Sequence, residues 1–293
     1  MSNPDVRHYK LKTNSHSFHL TVSPAAGIIN LSIGGKRKGC VNISVNTPDS
    51  ILVKRGGKSI EVATMPILKW YPDCSVDEPL PRKEGTIHMI KTLLSEMKKR
   101  YPYVKYITLM DNSHITCSEG KEISLLALSF SIYNTTWYER IFNATLQDPN
   151  YQKVYISGNK TLNDPKSKLS FEDFTKLFGS YTTADIITKL KAYYESSVTY
   201  TEFFQILYKT EGKESQCNLI VDWIDIFLQY IFDINLQSLP WVIKRESIED
   251  IPIIEESIAT QNPYTQTAGR RNTRKSKINS KNRLDYSDAV YID

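Results

Sequence analysis

Along the first 70 residues, apolar and polar positions alternate with a period of two. The runs at 17–23, 27–33, 40–45 and 59–65 each put every second side chain on one face, and Pro24, Gly34-Gly35 and Asn46-Thr47-Pro48 punctuate them. Strands this short and this closely spaced pair antiparallel, because a parallel neighbour requires a long crossover. The period changes after Pro81. Ile87, Ile90, Leu93, Leu94 and Met97 recur at helical spacing with Lys91, Glu96, Lys98 and Lys99 pointing away, so an amphipathic helix is predicted, stopped by Pro102. Residues 103–109 follow as a strand with Val104, Ile107 and Leu109 inward, 111–114 as a turn, and 122–133 as a second, more buried helical element.

From Phe171 the pattern is helical, with no comparable strands. Residues 170–173 and 182–185 read as capping boxes, in which a hydroxyl accepts from an orphan amide. Segments 199–209 and 218–232 complete about four helices, with Leu219, Trp223, Phe227, Tyr230 and Ile231 as core. Pro149, Gly158 and Pro165 mark 149–165 as a linker. The predicted class is α+β: an N-terminal, mostly antiparallel sheet with packed helices over 1–148, a smaller all-helical subdomain over 166–245, and an extended or disordered basic tail over 246–293.

Composition adds limits. Of 293 residues 40% are apolar and 24% charged, which excludes a fibrous repeat and whole-chain disorder. No window reaches the roughly 18 uninterrupted apolar residues of a spanning helix and the first residues lack an apolar signal core, so the expectation is a soluble, intracellular, non-secreted chain with no membrane partner. Cys40, Cys74, Cys117 and Cys217 form no C-x-x-C pair, so reduced, buried thiols and no metal site are expected. Trp137 and Trp223 are expected in the core, Trp70 and Trp241 partly exposed.

The charge is uneven. Of the net +5, the segment from Gln261 carries +4: Arg270, Arg271, Arg274, Lys275, Lys277, Lys281 and Arg283 against Asp285, Asp288 and Asp293. One large apolar residue between 268 and 283 cannot offset the entropy of ordering, about 1–2 kcal/mol per residue. Seven cations without an intervening acid suit RNA or DNA phosphates. The helical subdomain offers a surface for a protein partner.

The junction at 82–86, RKEGT, carries the most specific chemistry. A helix start leaves four amides without intrahelical partners and about half a positive charge, enough to hold an anion where the backbone is open. Gly85 permits close approach, Arg82 and Lys83 supply charge for a pyrophosphate, and Thr86 supplies a hydroxyl. The same residues also serve simply to begin a helix. His114, beside Asp111, reads as turn chemistry or as an acid–base group.

RKEGT, an amphipathic helix, a strand, a turn and a helix ending in Thr136-Trp-Tyr-Glu-Arg-Ile-Phe142 together resemble the acyl-CoA-binding half of GNAT-type N-acyltransferases over residues 60–146. The chain is also similar to GNAT-like proteins of large DNA viruses. The resemblance implies acetyl-CoA as cofactor, held at Arg82, Lys83, Gly85 and Thr86, and acetyl transfer to an amine with Tyr138 as the acid that protonates the departing thiolate. Ile87 stands where the family has a small residue, and no glycine follows Ile141. Two function classes therefore remain: an N-acyltransferase, and a non-enzymatic nucleic-acid- or protein-binding module on a degenerate acyltransferase-like scaffold.

Overall fold

A computed structural model describes residues 6–35, 39–47, 62–68, 72–81, 84–110 and 114–258. The protein is mixed α+β, with a large, mostly antiparallel sheet and eight α-helices among the described residues. The chain divides into two compact units, residues 1–109 with 243–293, and residues 110–242. This division departs from the boundaries at 148 and 165 that composition predicts.

In the first unit, β1 (Arg7–Lys12), β2 (Ser17–Ala25), β3 (Ile28–Gly34), β4 (Gly39–Asn46), β5 (Val62–Leu68), β6 (Tyr106–Leu109) and β11 (Ile254–Ile258) stand in the order β11-β1-β2-β3-β4-β5-β6. All neighbours are antiparallel except β5 and β6. The period-two reading holds: Phe18 and Leu20, Leu31 and Ile33, and Val41, Ile43 and Val45 are all buried. α1 (Glu84–Arg100) packs on β3 and β4 and contributes Met89, Ile90, Leu93, Leu94 and Met97 to the core. Each such aliphatic side chain contributes about 1.5–3 kcal/mol through burial.

Three predictions are corrected here. Glu96, expected to face solvent, is only 1% exposed, because its Oε2 accepts from Arg100 Nε at 2.9 Å and the charge is thereby compensated. Residues 246–258, expected in the tail, return along the polar face of α1. Lys91 meets Glu249 at 2.8 Å, Lys98 meets Asp250 at 2.9 Å, Ile251 N–H donates to Ser95 Oγ, and Arg100 pairs with Glu255. β11 then pairs with β1. The thiols are not reduced: Cys40 bonds Cys74, and in the second unit Cys117 bonds Cys217, 100 residues apart. Such bonds persist in oxidising surroundings.

The second unit begins with a hairpin, β7 (His114–Thr116) and β8 (Glu122–Ser124). Ser124 then caps α2 (Leu125–Tyr133), its Oγ accepting from Ala127 N–H. α3 (Trp137–Phe142) follows, and β9 (Thr145–Leu146) pairs with Trp241 and Val242 of β10 (Trp241–Lys244). The remaining elements are α4 (Pro149–Asn163), α5 (Phe171–Lys176), α6 (Ala184–Glu195), α7 (Tyr200–Ile220) and α8 (Ile224–Phe232). Ser170 and Thr199 cap α5 and α7, while α6 is capped by Thr183, one residue beyond the predicted Thr182.

The core of this unit is aromatic. Phe174 stacks on Tyr194 at 4.4 Å and Phe178 on Trp223 at 4.6 Å, and Phe203 and Phe227 meet the Phe174 ring edge-on. Two tyrosine and tryptophan predictions change. Trp241 is 1% exposed, its ring meeting Tyr155 edge-on at 5.4 Å. Tyr230 is exposed, because it lies off the stripe formed by Ile224, Phe227, Leu228 and Ile231.

The predicted linker is a helix. Asp148 accepts from Asn150 N–H to cap α4, Pro149 occupies the first turn where its missing N–H is harmless, and Tyr155, Gly158 and Leu162 bury one stripe. No helix among the described residues is long and apolar enough to cross a membrane.

Candidate functional site

The residues that the sequence resemblance offers for an acyl-CoA lie at the βαβ unit of the first unit. Val62–Thr64 of β5 pair in parallel with Tyr106–Thr108 of β6, and β5 runs on to Leu68, pairing there with Val41 and Asn42 of β4. α1 makes the crossover and starts at Glu84. Its first turn is packed at Gly85 and Thr86, while Glu84 is exposed. A Cβ on Gly85 would lie 2.9 Å from both Leu80 Cγ and Pro81 Cδ, Leu80 is buried, and Thr86 is 2% exposed. Anion binding at a helix start needs backbone amides that a ligand can reach. Gly85 thus provides room for Leu80 and Pro81, and the Thr86 side chain is enclosed. Arg82 and Lys83 lie outside the described residues, as does Trp70.

One turn further along α1 stands a histidine that sequence spacing does not distinguish. His88 Nε2 is 2.8 Å from Thr13 Oγ1 and 3.2 Å from Ser15 Oγ, and its ring centre is 5.6 Å from that of His16. Thr13 Oγ1 donates to the His16 carbonyl at 2.9 Å, so it accepts from His88 and places the neutral ring's proton on Nε2. Burial, His16 and Lys91 hold His88 below the usual histidine range, with Glu249 opposing them. His16 Nδ1 is buried without a hydrogen-bond partner among the described residues. No group of three histidine, cysteine, aspartate or glutamate side chains there is placed to hold a metal ion. The cluster joins residues 75 apart, so no local motif announces it.

Tyr138 sits in the second unit, on α3, and is 4% exposed. Its ring meets Trp137 edge-on at 4.8 Å and stacks on Phe142 at 6.5 Å. The resemblance offers it as a catalytic acid, and the structure places its side chain in the core. The neighbouring Glu139 is more chemically engaged. Its Oε2 accepts from Thr135 Oγ1 at 2.5 Å and from the Tyr155 hydroxyl. Burial first, then the charge of Glu139, push the Tyr155 phenol far above its ordinary range, so it stays protonated and donates. Arg140 lies over the Tyr133 ring at 3.9 Å. This network ties α3 to α4 and was not legible in the sequence, because α4 was read as a linker.

His114 is exposed at the start of β7, opposite Ser124, and Asp111 lies outside the described residues. Arg270, Arg271, Arg274, Lys275, Lys277, Lys281 and Arg283 also lie outside them. Comparison with known protein families, characterised proteins and solved structures finds no match.

Proposed function

We propose that this chain is a non-enzymatic binding module built on an acyltransferase-like βαβ unit, which contacts nucleic acid through the seven cations between Arg270 and Arg283. The observation that carries the reading is the packed start of α1. An acyl-CoA pyrophosphate needs open amides there, whereas Leu80 and Pro81 stand over Gly85 and Thr86 is buried. Gly85 and Thr86 speak against a pyrophosphate cradle at this helix start, and no transfer step is derived. The partner class rests on the charge run, which neutralises phosphates without requiring a fold.

Two titrations test the reading. Fluorescence anisotropy with a duplex DNA and with a single-stranded RNA should give affinities that fall steeply with salt. If all seven cations engage duplex DNA, the slope of log affinity against log salt is about −6. Removal of residues 268–293 should flatten it. An unchanged slope after truncation, or no binding by the full chain at low salt, overturns the proposal.

The second reading, an acetyl-CoA-dependent N-acyltransferase, is favoured by the parallel β5–α1–β6 crossover. Calorimetry with acetyl-CoA decides between them. Micromolar binding that disappears in Gly85→Trp favours the transferase, and Tyr138→Phe then asks whether turnover depends on that hydroxyl. No heat and no thermal shift at millimolar acetyl-CoA favours the module.

A further inference from the structure

Within the second unit, α8 and the segment that follows it line a cavity of about 170 Å³. It opens to solvent and its walls are mixed: Leu126 of α2, Ile226 of α8, and Ile234 and Leu236 beyond α8 form an aliphatic part, and Asp225 with its polar neighbours forms the rest. Two of these, Leu126 and Leu236, are themselves buried. Set among them is a short polar chain. Gln237 Nε2 donates to Asp225 Oδ1 at 2.8 Å, and Gln237 N–H donates to Asn235 Oδ1 at 3.1 Å. Gln237 is therefore held through both its backbone and its side chain, and Asp225, in the first turn of α8, has its carboxyl at the cavity.

The volume and the chemistry select a ligand class. An apolar cavity near 150 Å³ holds a benzene-sized molecule, whereas water occupies about 30 Å³. An anion would meet the Asp225 carboxylate, and a wholly apolar guest would leave that group without compensation for lost water. A cation with a hydrocarbon body meets both demands.

We propose that this cavity binds a small amphipathic organic cation of the alkylammonium or arylamidinium class, its charged head on Asp225 and its body against Leu126, Ile226, Ile234 and Leu236. Burial already raises the Asp225 carboxyl above the usual carboxylate range, against the opposing effects of Gln237, His114 and Ser124. A bound cation favours the charged carboxylate and moves the group back down. The site is independent of the nucleic-acid reading, since every residue named here lies within 110–242.

The probe is benzamidinium, with benzamide as its neutral counterpart of the same shape, titrated against the full chain while the methyl resonances of Leu126, Ile226 and Ile234 are followed by NMR. Benzamidinium should shift these methyls and bind about tenfold or more tightly than benzamide, a difference of about 1.4 kcal/mol. In Asp225→Asn, with its far-UV circular dichroism unchanged, benzamidinium should fall to the benzamide level. Silent methyls at millimolar benzamidinium overturn the proposal, as does equal binding of the two probes to the unaltered chain. The second comparison needs no variant, so it stands if Asp225→Asn does not fold.

Discussion

Gly158 of α4 lies directly against the ring of Phe232 at the end of α8: a Cβ on Gly158 would sit 2.2 Å from Phe232 Cδ1 and 2.4 Å from Cε1. Only a hydrogen fits. The close approach lets Tyr155 stack on Phe232 at 5.5 Å and Phe130 meet it edge-on at 5.2 Å. Gly158→Ala should therefore lower stability by about 1–3 kcal/mol through overpacking. That loss outweighs the gain of about 1 kcal/mol that alanine brings to a helix interior. Urea denaturation measures the balance, and a more stable variant would mean that the two helices do not approach as described.

Arg100 holds three elements together in the first unit. Its guanidinium pairs with Glu96 on α1 and with Glu255 on β11, and lies 4.5 Å over the Tyr9 ring of β1. Arg100→Ala leaves the buried Glu96 charge uncompensated, so a loss of about 3–5 kcal/mol is expected. Arg100→Lys should recover only part of it, because an ammonium cannot span two carboxylates and stack as a planar guanidinium does. Combining Arg100→Met with Glu96→Leu should restore much of the stability by removing both charges. Thermal melts of the three variants give the order; Arg100→Ala matching the unaltered protein would contradict the buried pair.

The Cys117–Cys217 bond spans 100 residues of sequence and ties the turn after β7 to α7, beside the Lys121–Asp222 pair. Closing so long a loop restricts the unfolded chain, which is worth about 3–5 kcal/mol. Replacing both cysteines with serine should lower the melting temperature of the second unit more than that of the first. Protein prepared without reductant should show no reactive thiols under native conditions. Four titratable thiols would restore the reduced state predicted from sequence.

Three histidines of the first unit, His8, His19 and His88, are held below their ordinary range, in each case first by burial. Folding thus favours their neutral forms. This contribution is complete above the unfolded value of about 6.5 and is lost as pH falls through the window beneath it. Calorimetric melts at constant ionic strength should show the first unit weakening from pH 7.5 to 5.5. The drop should be smaller in His88→Asn, which keeps a donor toward Thr13. Asp77 and Glu249 shift downward, mainly through hydrogen bonds from Ser17 and Lys91, so their small, exposed contributions disappear only at more acid pH. A flat profile between 7.5 and 5.5 would remove the histidines from the account.

What the sequence by itself determined was whatever a local period encodes. Alternation specified β2, β3 and β4, and the 3.6-residue stripe specified α1 with Met97 and Leu94 inward. Hydroxyls before helices placed the caps at Ser170 and, one residue early, at Thr182 rather than Thr183, because a cap bonds only three residues ahead. The class, α+β with a mostly antiparallel sheet, follows from those elements.

Tertiary structure decided the rest, and in each case the reason is a partner distant in sequence. Gly158 reads as a linker residue until Phe232 is set against it. Glu96 reads as solvent-facing until Arg100 is set against it, and residues 248–258 read as tail until α1 offers Ser95 and Lys98. The start of α1 follows the same logic. Residues 82–86 carry the composition of a phosphate cradle, yet whether amides are reachable depends on which side chains lie over Gly85, and there Leu80 and Pro81 pack against it. A local pattern fixes which groups are present; only packing fixes which of them solvent or a ligand can reach.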